Sequence, residues 1–145
     1  MNLFTLAWFS FLFLLSPMVE AEVLLKTQTS WDGGEFRYPT GQAEITSFKL
    51  RIEEDQVPKF HCHPVPTLGY ILKGSLEVET KSGKKVIFKE GESLVEVMRT
   101  IHRGKAIDAP VELIVFYAGS TSMPNTVFPE EDSSKKYCSS KSGGM

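Results

Sequence analysis

The stretch FHCHPVPTLGYILKG, residues 60–74, sets two of the chain's three histidines, His61 and His63, on either side of Cys62 and closes on Gly74. In a strand, side chains at i and i+2 share a face. His61 and His63 therefore project together, about 6–7 Å apart along the strand, and Cys62 points the other way. Two neutral imidazoles on one face suit a divalent ion such as Zn, Cu, Fe or Ni. The alternative for an isolated His-x-His is a pair of satisfied polar residues at a strand end. The third histidine, His102, lies far downstream, where antiparallel hairpins can bring it opposite the pair.

The sequence around this stretch reads as short strands punctuated by turns, the pattern of an all-β sandwich or barrel. Ala43 to Ile52 alternates Phe48, Leu50 and Ile52 against Lys49 and Arg51. Gly69 to Leu72 and Ser75 to Thr80 follow, broken at Lys73-Gly74. Lys81-Ser82-Gly83-Lys84 is a hairpin turn, returning through Lys85 to Lys89. Ser93 to Val97 continues the series. Asp108-Ala109-Pro110 is a turn before Glu112 to Tyr117, the most apolar strand and the expected centre of the sheet. Residues 22–42 form an N-terminal edge segment. Its aromatics Trp31, Phe36 and Tyr38 are expected to cover a core rather than line a ligand site.

Residues 1–21 differ from the rest. Leu3 to Leu15 is an uncharged apolar run of 13 residues, short of the roughly 20 a membrane-spanning helix needs. It ends in SPMVEA, with small residues placed for cleavage after Ala21. The reading is a secretory signal peptide, hence an exported protein, periplasmic or secreted, with no stable membrane anchor after cleavage. A retained anchor is the alternative, since the segment before the run carries no Lys or Arg. The 145-residue chain has a net charge of −2. It shows no basic patch interleaved with aromatics, which excludes nucleic acid as the expected partner. Cys62 and Cys138 are expected to stay unpaired. Cys138 lies in residues 129–145, a polar Ser/Lys/Gly-rich tail expected to be disordered, and Cys62 is expected to pack as a small apolar side chain.

Residues 58–119 resemble a cupin domain. The first cupin motif, G-x5-H-x-H-x3,4-E-x6-G, is met by His61, His63 and Gly74, with Thr67 in the place of its Glu and Asp55 in the place of its first Gly. The second, G-x5-P-x-G-x2-H-x3-N, is met by Gly91 and His102, with Val97, Arg99 and Ala106 in its Pro, Gly and Asn places. The resemblance implies an antiparallel β-barrel of the double-stranded β-helix (jelly-roll) type over residues 43–128. It also implies a metal inside, held by His61, His63 and His102: Fe, Mn, Ni, Zn or Cu. A homodimer is implied in the same way.

Three neutral histidines without the Glu leave the full charge of the ion, which favours anionic ligands, and an open position for water or substrate. Thr67 either bonds a metal-bound water or is structural. Glu96, within the run Leu94 to Met98, is either a substitute ligand, since a buried carboxylate is costly unless paired or metal-bound, or a solvent-facing residue. Arg103 either receives an anionic substrate at the barrel mouth or pairs with a surface acid, the default. The expectation is a metal-binding protein that acts on or binds a small molecule. Some three-histidine cupins are oxygenases, so dioxygenase-type chemistry leads, with Lewis-acid isomerase or lyase chemistry beside it. The alternative is a non-catalytic small-molecule-binding or structural β-barrel module.

Overall fold

The computed structural model of the protein describes residues 19–139. Most of the expected signal peptide and the last residues of the tail lie outside the described residues. Five strands form one antiparallel sheet: β1 (Ala43–Ile52), β2 (Thr67–Thr80), β3 (Lys85–Lys89), β4 (Ser93–Val95) and β5 (His102–Ser120). The order is β1-β5-β2-β3, with β4 pairing to β2. Among the described residues no helix is long and apolar enough to cross a membrane.

β2 and β5 are long because each bends instead of stopping. Thr67 to Ile71 runs against Leu113 to Tyr117, and Ser75 to Thr80 runs against His102 to Asp108. Between these halves the register shifts repeatedly, from Ile71 to Leu76, as bulges do when they turn a strand. Asp108-Ala109-Pro110, expected as a turn, is therefore a bend inside β5. The bend depends on Gly74. Its φ is +78°, and a Cβ there would stand 2.3 Å from the Asp108 carbonyl oxygen and 2.8 Å from that of Pro110. Ser75 ties the corner by donating its hydroxyl to the Asp108 carboxylate at 2.8 Å. The bent ribbon, with β1 on one side and β3 on the other, curls into a jelly-roll whose sheet does not close by hydrogen bonds.

The concave face holds the main core: Ile52, Val65, Ile71, Leu76, Val78, Leu94, Val111, Leu113, Val115 and Tyr117. Each buried side chain of this size is worth about 1.5–3 kcal/mol relative to exposure. Trp31 packs against this core and its backbone N–H donates to the Val95 carbonyl at 3.2 Å, as core cover should. Tyr38 does not join it and is exposed.

A second cluster, behind the histidine strand, joins Cys62, Ile101, Val127 and Cys138. Here two expectations are corrected. Cys62 and Cys138 form a disulfide, and the tail is ordered as far as Ser139. Pro129–Glu131 is a 3-10 turn. The Asp132 carboxylate then accepts from the backbone N–H groups of Lys136, Tyr137 and Cys138 at 2.7–2.9 Å. Ser139 N–H donates to the Arg99 carbonyl at 2.6 Å. Polar composition argues for disorder only when nothing satisfies the backbone. A single carboxylate and one covalent bond do that here without a large apolar area.

Candidate metal centre

His61 and His102 face each other across an antiparallel bridge, exchanging backbone hydrogen bonds of 2.9 and 2.8 Å. His63, two residues on, accepts at its carbonyl from the Arg99 N–H at 2.7 Å. Strand parity and this pairing bring the three rings together, with centroids 4.8–5.0 Å apart. The hairpins that link the motifs thus do what the spacing asked of them. Cys62 points away, as parity requires, into the second cluster.

Each ring is oriented by a backbone carbonyl. Nδ1 of His61 lies 2.8 Å from the Lys59 oxygen, Nδ1 of His63 lies 2.9 Å from Asn125, and Nδ1 of His102 lies 2.8 Å from Thr100. A carbonyl only accepts, so in all three rings the proton sits on Nδ1 and the Nε2 lone pair is free. Such contacts are the usual means of fixing a metal-binding tautomer. The ligand atoms of the three residues lie within 4.8 Å of one another. Burial holds all three imidazoles below their ordinary pKa, that of His102 down to about 4 and that of His63 well below, with the neighbouring imidazoles pushing His63 the same way. They are therefore neutral at pH 7, the form that binds a metal.

Glu96 completes the cluster. Its side chain is mostly buried, with 14% exposed, and Oε2 stands 3.5 Å from His102 Nε2. Burial raises the carboxyl to about pKa 7, against the opposing pull of His61, the Trp31 indole and the Val97 N–H. Glu96 Oε2 and His102 Nε2 are both buried without a hydrogen-bond partner. Orphaned buried polar atoms are rare in folded proteins and point to an ion or water at the site. Three convergent imidazoles beside an acidic oxygen also form a donor set of the right chemistry for a divalent transition metal. The residues present fit a metal.

A family model described as the cupin domain matches residues 48–117, the interval that carries all three histidines. The matched interval is a cupin domain. Among solved structures the protein is similar to the DMSP lyase DddQ from Ruegeria pomeroyi DSS-3, with 17% identity, a TM-score of 0.52, and coverage of 61% of this chain and 44% of that one. An oxalate oxidase is similar at 19% identity and a TM-score of 0.48, covering 59% and 46%. A cupin-2 domain containing protein from Shewanella frigidimarina is similar at 13% and 0.45, covering 62% and 82%. The likeness to the lyase is one of fold alone, and the chain spans less than half the length of the first two. No curated protein matches.

In this domain the residues that depart from the family motifs have structural consequences. Thr67, in the Glu place, is buried and donates its hydroxyl to the Val65 carbonyl at 3.1 Å. The carboxylate near the histidines comes instead from Glu96, which faces inward rather than to solvent. Arg99, in a Gly place, keeps the left-handed backbone with φ of 61°, and its guanidinium donates to the Lys136 carbonyl. Arg103 is not free for an anion. It pairs with Glu79 at 2.5 Å and lies 4.4 Å from the centre of the Phe60 ring.

Sequence reading missed the supporting shell. Lys59 and Thr100 each lie two residues before the histidine they orient, a local pattern visible in retrospect. Asn125 lies 62 residues from His63 and carries no such signal. Thr126 links His63 to Tyr117, its hydroxyl 3.3 Å from Nδ1 and 3.0 Å from the phenol oxygen. The cavity beside the cluster holds about 90 Å³. A larger groove of about 630 Å³ lies outside the sheet, along residues 22–27 and β4, and holds none of the histidines.

Proposed function

We infer that the protein is an exported metalloprotein that binds one divalent ion at His61, His63 and His102, with Glu96 beside it, and acts on or binds a small molecule. The observation that carries this reading is the set of three Nδ1–carbonyl hydrogen bonds, which leave three Nε2 lone pairs converging within 4.8 Å. When bound, a redox-active ion would supply O2 activation and a redox-inert one Lewis-acid catalysis. The chain's own part is to hold the ligands neutral and to keep an acidic oxygen near them. Export is supported by the Cys62–Cys138 disulfide, because such bonds persist in oxidising compartments.

The test is elemental analysis of protein purified without chelator from metal-replete medium, with one ion per chain expected. His61→Ala, His63→Ala and His102→Ala should each weaken binding at least a hundredfold. A variant that keeps wild-type affinity removes that histidine from the ligand set. A second reading, a non-catalytic binding module, is favoured by Thr67, whose hydroxyl is committed to Val65. Oxygen uptake with phenolic, thiol and dicarbonyl compounds separates the two readings.

A further inference from the structure

We propose that the cavity beside the histidines selects a compact ligand with one donor head and an uncharged, apolar body, and rejects ligands whose body carries a second charge. This rests on the metal reading above and adds to it a class of ligand. The wall opposite the histidines is built from cross-strand pairs of β1 and β5. Phe48 stands against Val115, Leu50 against Leu113, and all four line the cavity with Ile52 and Leu76. No lysine or arginine lines it.

Three basic residues on the neighbouring strands are committed elsewhere. Lys49 and Arg51 alternate with Phe48, Leu50 and Ile52, so they face outward, and both pair with Glu112 at 2.5 Å. Arg103 is held by Glu79 and Phe60. The two lining hydroxyls are also engaged, Thr67 with Val65 and Tyr117 with Thr126. Polar capacity is thus gathered at the histidine–Glu96 cluster, where a donor head belongs. A second charge on the ligand body would lie against Leu113 and Val115 and the partly exposed Phe48 and Leu50 (38% and 37%), with no ionic partner on that wall, and an unpaired charge is disfavoured there. The volume of about 90 Å³ is three times the roughly 30 Å³ one water occupies in the liquid, which limits the body to a few heavy atoms.

The test uses protein loaded with Co(II), whose visible spectrum reports occupancy independently of any activity. Three thiols share one donor atom and a short chain: 1-propanethiol, 3-mercaptopropionate and cysteamine. Propanethiol should perturb the cobalt spectrum with a dissociation constant at least a hundredfold below that of either charged thiol. A charged thiol that binds within tenfold of propanethiol overturns the ligand class while leaving the metal reading intact. Protein that takes up no Co(II) overturns both.

Discussion

Reduction of the Cys62–Cys138 bond should be the largest single loss of stability available without touching the main core. The bond closes a loop of 76 residues. In the chain-entropy treatment, freeing a loop of that length gives the unfolded ensemble about 15 cal/mol/K, or about 4.5 kcal/mol at 25 °C. A domain of this size has a total stability of only about 5–15 kcal/mol, so the loss is a large share of it. The perturbation is Cys138→Ala, compared with wild type in the presence and absence of reductant. The assay is urea unfolding at equilibrium, followed by circular dichroism. With a slope of about 2 kcal/mol per molar, the midpoint should fall by about 2 M in the variant. Wild type under reductant should follow it, and the variant should no longer respond to reductant. A change below 1 kcal/mol would refute the claim that the bond constrains the unfolded chain, and with it the view that the tail is anchored covalently.

Other perturbations act nearer the site. Metal-free protein should lose stability as pH falls from 6.5 towards 4, because the unfolded chain takes up protons that the depressed histidines refuse; a flat profile in chelator-treated protein would contradict their burial. Glu96 has the opposite sign. Its carboxyl is raised from 4.5 to about 7, so the native state holds its proton more tightly and stability falls as pH rises through that window. Metal-free Glu96→Gln should therefore be more stable than wild type at pH 8, by up to about 3 kcal/mol, with the gap closing near pH 4.5. In the metal-loaded protein the same substitution should weaken metal affinity about ten- to a hundredfold, measured by competition with a chelator. Gly74→Ala should cost more than about 3 kcal/mol in thermal or urea unfolding, since its Cβ would collide with two backbone oxygens at a positive φ; retention of wild-type stability would show that the corner can relax.

Much of the fold was legible because it depends on local pattern. β1 and β3 fall where alternation and turn residues place them, and Glu112 to Tyr117 lies centrally, between β1 and β2. His61 and His63 were paired by parity, His102 was joined to them by the resemblance to the cupin motifs, and the structure brings the three together. What the sequence hid depends on partners far along the chain. The bend at Asp108-Ala109-Pro110 looks like a turn until Gly74 is set against it. Glu96 looks amphipathic on its own strand, and only the curl of the sheet turns it inward. The tail's order rests on Asp132 and on a partner for Cys138 that lies 76 residues away. Composition records none of these long-range partners.

The strap that follows β5 alters what counts as the smallest working unit of this protein. Val127 exchanges backbone hydrogen bonds of 2.9 and 3.0 Å with Cys62, and the Asn125 carbonyl fixes the tautomer of His63. Both lie beyond residue 117, where the family match ends. A fragment cut at the edges of that match would keep all three histidines and yet leave His63 without its orienting acceptor and Cys62 without its neighbour. The centre cannot be transplanted as a motif, because its geometry is set by sequence that the motif does not include.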